Sequence, residues 1–158
     1  MFRRLISVIS FLAVATTLSQ AYASHYLLDD VSFFSAAERE RFGKQGIEDT
    51  EQFLKKASTP KARLALKAAT GLEADRIEAL AKLCDLLQVK GLGPKMALLF
   101  TATGLQHTDA LSKADLNDLY PKMKEINNKR HISEVLPRRE MVGNWIKAAK
   151  TVPVRLTL

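Results

Sequence analysis

From residue 33 onward the apolar positions recur at the three- and four-residue spacing of amphipathic helices, and no run alternates with the period of a strand. The segment 33–45 predicts a first helix, ended by Gly46. Thr50 is expected to cap a short helix carrying Phe53 and Leu54. Thr59 and Pro60 read as a cap and a first helical position, opening a helix through Leu64, Leu66 and Ala69 that Gly71 stops. The clearest amphipathic segment is 73–87, with Ile77, Leu80, Leu83, Cys84 and Leu87 on one face. Gly91-Leu92-Gly93-Pro94 breaks that helix, and the next begins at Pro94, carries Met96, Leu99 and Phe100, and ends at Gly104. A short element follows Thr108. A longer helix is expected over 117–129, with Pro121 tolerated in its first turn. After Pro137 a last helix sets Met141, Val142, Trp145, Ile146 and Ala149 along one face, and the apolar tail 152–158 is expected to pack as an extended strap. The fold class is therefore all-α.

The pattern also repeats. Phe42, Gly46, Ile47, Thr50 and Phe53 match Phe100, Gly104, Leu105, Thr108 and Leu111 at a constant offset of 58. Further on, Ile77, Leu80, Ala81 and Cys84 parallel Val142, Trp145, Ile146 and Ala149. Two copies of one helical unit are expected, the first over about 30–86 and the second over about 87–150, packed around a shared core.

The first residues read differently. Arg3 and Arg4 precede a mostly apolar run over 5–18, and Ala21-Tyr22-Ala23 gives the small-x-small pattern of a signal peptidase site. The run is shorter than the roughly 20 apolar residues that span a bilayer. Residues 1–23 are thus expected to be a cleaved signal peptide, leaving 24–158 as an exported, periplasmic or secreted domain with no membrane anchor. Removing Arg3 and Arg4 lowers the formal charge from +7 to +5, since no acid precedes Asp29. Cys84 is the only cysteine, so no internal disulfide can form, and its place on the apolar stripe marks it as a core residue.

The strongest local motif is Val89-Lys90-Gly91-Leu92-Gly93-Pro94-Lys95. Two glycines permit a tight turn with positive backbone angles, and Leu92 between them can tuck into the core. The N–H groups at the following helix start carry the positive end of the macrodipole, and Lys90 and Lys95 flank them. Lys90, Gly91, Gly93 and Lys95 are therefore candidate contacts for a phosphate of a nucleic-acid backbone. A turn that merely joins two helices wants the same glycines. At the same offset the first copy reads Phe33-Phe34-Ser35, without glycine, so any anion site there is expected to be lost.

Charge follows the same asymmetry. Ten acids balance ten bases over 30–86, whereas 87–150 holds eleven bases against six acids. A basic half suits nucleic acid, anionic lipid or another polyanion equally. Catalytic constellations are missing from the pattern. His25, His107 and His131 are scattered without metal-ligand spacing, and Ser112 and Ser133 lack nucleophile context. No enzyme activity, metal or cofactor is expected.

With these residues in place, the sequence resembles a family of tandem helix-hairpin-helix domains known only as a domain of unknown function. The resemblance is carried by Gly46-Ile47-Glu48-Asp49-Thr50, Thr70-Gly71-Leu72, Cys84-Asp85-Leu86 and the 89–95 motif. Gly104-Leu105, Thr108, Asn127 and the Val142 to Lys150 stretch extend it over nearly the whole length after about Leu27. The sequence departs from the family at Phe33 to Ser35, where hairpin glycines are usual. It departs again near Leu80, where tryptophan is typical, and at Arg138, where a serine cap often stands. The resemblance implies a helical fold and supplies no activity, cofactor or catalytic residue. Two functions remain in view. One is a structural or protein-interaction module of the cell envelope with an unknown protein partner. The other is binding of DNA or another polyanion through the Gly91-Leu92-Gly93 turn.

Overall fold

The computed structural model describes residues 25–158, and the expected signal peptide over 1–23 lies outside them. Eight helices follow one another among these residues: α1 (Ala36–Gly43), α2 (Thr50–Ala57), α3 (Pro60–Thr70), α4 (Ala74–Leu86), α5 (Pro94–Thr103), α6 (Thr108–Ser112), α7 (Leu116–Arg130) and α8 (Arg139–Ala149). A short 3₁₀ turn, Leu28–Asp30, precedes them, and a single antiparallel bridge joins Leu27 to Asp49. The described residues form no β-strand, so the all-α expectation holds. None of these helices is long and apolar enough to cross a membrane.

Local chemistry explains where most helices begin and end. Thr59 accepts a hydrogen bond from Ala62 N–H and Pro60 takes the first position of α3, as the sequence predicts. Gly71 and Gly104 close α3 and α5 in the left-handed conformation at φ 68° and 98°. Three boundaries differ from expectation. The first helix runs over Ala36–Gly43 rather than 33–45, because Ser35 and Glu38 form a reciprocal capping box with Phe33 and Phe34 in the preceding turn, and Gly46 (φ 66°) lies in the turn that follows. Asp49, not Thr50, caps α2, while Thr50 Oγ1 accepts from Tyr26 N–H at 3.2 Å. Pro121 is not in the first turn of α7, since that helix begins five residues earlier at Leu116.

The first four helices gather around Phe34, Phe42 and Phe53, whose rings meet edge to face with centroids 4.8–5.9 Å apart. The last four enclose Phe100 and Trp145, also edge to face at 6.0 Å. Helix α2 packs on α4 as α6 packs on α8, and α4 additionally touches α5 and α6, so one continuous core joins the two sets. Helices α7 and α8 approach closely at Gly143, where a Cβ would stand 3.2 Å from Leu116 Cδ2.

The offset of 58 is also an offset in hydrogen bonds. Ile47 N–H donates to Phe42 O as Leu105 N–H donates to Phe100 O, each at 3.1 Å. Val31 and Phe34 N–H bond Leu28 and Val31 O, as Val89 and Leu92 N–H bond Leu86 and Val89 O. Ser35 and Gly93 are then the N-caps of α1 and α5.

The tail does pack as a strap. Leu156 is buried, Thr157 N–H donates to Ser58 O at 2.8 Å, and Arg155 pairs with Glu51. Arg63, only 4% exposed, fixes the strap by donating to both Ala57 O and Thr157 O while its second nitrogen faces Glu78 at 3.4 Å.

Candidate functional site

The turn between α4 and α5 is built from the inside out. Val89 and Leu92 are fully buried, and the bonds Val89 N–H to Leu86 O and Leu92 N–H to Val89 O hold the backbone in two successive tight turns. Between them Gly91 sits at φ 78°, a left-handed conformation that costs a residue with a Cβ about 1–2 kcal/mol. The expectation of positive angles at both glycines needs correction: Gly93 has φ −89° and serves as the cap of α5. Its lack of a side chain has another consequence. Gly93 offers α5 no side-chain capping oxygen, although its carbonyl accepts from Met96 and Ala97 N–H, and the N–H groups of Gly93 and Lys95 find no acceptor among the described residues.

Lys90, Gly91 and Lys95 are exposed and Gly93 is half-buried, so the four candidate residues do share one surface. Lys95 Nζ lies 3.6 Å from Glu134, with both side chains largely in solvent, which makes this a weak pair. Two further groups border the turn that the sequence pattern did not assign to it. A Cβ on Gly91 would stand 3.6 Å from Trp145 Nε1, and one on Gly93 would stand 3.8 Å from Tyr26 Oη. Trp145 is 6% exposed, as its place on the apolar stripe predicts, yet its indole N–H donates to no described residue. Trp145 Nε1 is not among the fully enclosed polar atoms that lack a partner in the described residues, Gln88 Nε2 and Thr101 Oγ1, so it keeps some access to solvent beside Gly91.

The first copy treats the same position differently. Glu38 Oε2 accepts from Ser35 N–H at 2.7 Å, so a carboxylate of the protein itself closes the start of α1. Arg76 holds that carboxylate through Nε to Oε1 at 2.6 Å and Nη2 to Oε2 at 3.0 Å, and also donates to Phe33 O. The Arg76 hydrogen bonds, aided by Ser35 N–H, lower the Glu38 carboxyl from 4.5 to about 2 against the opposing effect of burial. At the matching place on α5 stands Met96, which carries no charge.

Other polar groups are absorbed by the fold. His107 Nδ1 accepts from Ala110 N–H as the cap of α6, and His131 ends α7 at φ 48°. Burial pushes the Cys84 thiol well above its usual range, as befits an unreactive core residue. Burial also raises the Asp85 carboxyl, although Thr108 N–H at 2.7 Å favours its charged form. Asp85, His107 and Thr108, together with Val152, Pro153, Val154 and Leu156 of the strap, line a cavity of about 100 Å³. Among the described residues no group of three or more His, Cys, Asp or Glu is arranged to hold a metal ion.

No curated protein and no solved structure matches the sequence. A family model described as Domain of unknown function (DUF4332) matches residues 33–152, from the first turn to the start of the strap. With that match spanning most of its length, the protein belongs to the DUF4332 family.

Proposed function

We propose that this protein is an exported, non-catalytic tandem helix-hairpin-helix module that docks to a protein partner in the cell envelope through the turn between α4 and α5. The observation that carries this reading is the contrast between the two turns. The first is closed on itself by Ser35, Glu38 and Arg76, whereas the second keeps Lys90, Gly91 and Lys95 at the surface with uncapped N–H groups beside them. The matched hydrogen bonds at an offset of 58 support the tandem assignment. Export rests on Arg3, Arg4, the apolar run 5–18 and Ala21-Tyr22-Ala23. Val135, next in sequence to the Glu134 that faces Lys95, and Met141 on α8 expose 76% and 46% of their surface, which suits a partially apolar protein surface better than a sugar-phosphate backbone.

The second reading is DNA backbone or polyanion binding at Lys90, Gly91, Gly93 and Lys95, favoured by the uncapped start of α5 and the basic excess of 87–150. Fluorescence anisotropy of the 24–158 protein with short duplex and single-stranded DNA over a salt series separates the two. The protein-docking reading expects no binding that responds to Lys95→Ala. Affinity falling by about 0.9 in log K per log salt for each phosphate contacted, with a shallower slope in Lys95→Ala, would establish DNA binding instead.

A further inference from the structure

We infer that the α4–α5 turn is a socket for a carboxylate of a protein partner, an Asp or Glu residue or a terminal carboxylate, received by Trp145 Nε1–H, Tyr26 Oη–H and the start of α5. The inference rests on the docking reading above and names the chemistry that the docking surface takes.

Three observations converge on it. First, apart from Glu134, the polar side chains and free N–H groups around the turn can all donate: the N–H groups of Gly93 and Lys95, the Lys90 and Lys95 ammonium groups, the indole N–H beside Gly91 and the phenol beside Gly93. Second, the indole is not free to turn away. Trp145 is buried but for 6% of its surface and packs edge to face on Phe100, yet its one polar atom opens at the turn without a partner. A donor fixed there by the core meets an acceptor brought from outside. Third, the protein holds its own template. At the equivalent helix start, Ser35 N–H and the Arg76 guanidinium hold the Glu38 carboxylate, and Met96 replaces that carboxylate on α5. The template is a single carboxylate. Glu134, 3.6 Å from Lys95, also offsets part of the local positive charge, which suits one incoming anion better than a run of phosphates.

Trp145 is the sole tryptophan, so its indole N–H gives one unambiguous signal in a proton–nitrogen correlation spectrum. The test titrates the 24–158 protein with an acetylated, amidated leucine–glutamate pentapeptide. The glutamine version of the peptide and a twelve-nucleotide single-stranded DNA serve as comparisons. The carboxylate socket predicts a saturable downfield movement of the indole proton with the glutamate peptide and none with the glutamine peptide. Tyr26→Phe, which removes only the hydroxyl, should weaken the glutamate peptide about tenfold, the effect of one hydrogen bond to a charged group. Equal movement with both peptides would overturn the inference, as would DNA saturating the signal at lower concentration than the glutamate peptide. An unmoved indole signal alongside a protein adduct cross-linked from position 90 would discard the socket and leave the docking reading standing.

Discussion

Replacing Glu38 with Gln separates what its charge contributes from what its shape contributes. The amide oxygen can still accept from Ser35 N–H, so the capping geometry survives while the ion pair with Arg76 is lost. A carboxyl displaced from 4.5 in the unfolded state to about 2 in the folded one is worth up to about 3 kcal/mol at 1.36 kcal/mol per pH unit. The Arg76 side chain is 41% exposed, and solvent screening brings the expected contribution to about 2 kcal/mol. The sign follows from the lowered folded value. The contribution is present above pH 4.5 and disappears as the pH falls from 4.5 toward 2. Urea unfolding of the native and Glu38→Gln proteins at pH 7, 5, 3.5 and 2 measures it. The native protein should lead by about 2 kcal/mol at pH 7 and 5, and the two should converge at pH 2. A gap that does not change with pH would refute the reasoning, because it would place the Glu38 contribution in packing and not in charge.

Gly91→Ala should lose about 1–2 kcal/mol in urea unfolding, since φ 78° strains any residue with a Cβ and the new methyl would stand 3.6 Å from the indole nitrogen; a loss under about 0.3 kcal/mol contradicts this. Arg63→Met should cost about 2–3 kcal/mol and free the strap, seen as faster hydrogen exchange at the Thr157 amide; unchanged exchange there would show that the strap does not depend on Arg63. Pro121→Ala should stabilise the protein by about 1 kcal/mol or more, because a proline at the sixth position of α7 denies the Asn117 carbonyl its helical partner; destabilisation would show that the ring supplies packing that outweighs that bond.

What the sequence made legible was local. Thr59-Pro60, Gly71, Gly91 and Gly104 act through their own backbone angles and caps, so their effects read directly from residue type. The errors came where two local readings competed. Phe33 and Phe34 look like the first apolar positions of a helix, but the Ser35 and Glu38 capping box that follows them fixes the start and leaves both rings in the turn. The Ser-x-x-Glu spacing of Ser35 and Glu38 ahead of the periodic run carries that signal. Asp49 outcompetes Thr50 as a cap because Thr50 Oγ1 is engaged by Tyr26 N–H, a partner 24 residues away. The candidate site shows the same division. Lys90, Gly91, Gly93 and Lys95 are close neighbours in sequence and stand out from it, whereas the approach of Tyr26 and Trp145 depends on how α8 and the N-terminal segment pack against the turn. No periodicity reports which edge of a buried indole meets a loop. The Arg63 anchor of the strap, spanning 94 residues, is hidden for the same reason.

Docking through the turn is tested by replacing Lys90 with a photoreactive residue in the full-length protein and cross-linking it in intact cell envelopes, with Lys67 on α3 as the control position. A partner seated on the turn gives a discrete protein adduct from position 90 that disappears when Lys95→Glu is added, and none from position 67. A nucleic-acid adduct from position 90, or protein adducts of equal yield from both positions, would contradict it.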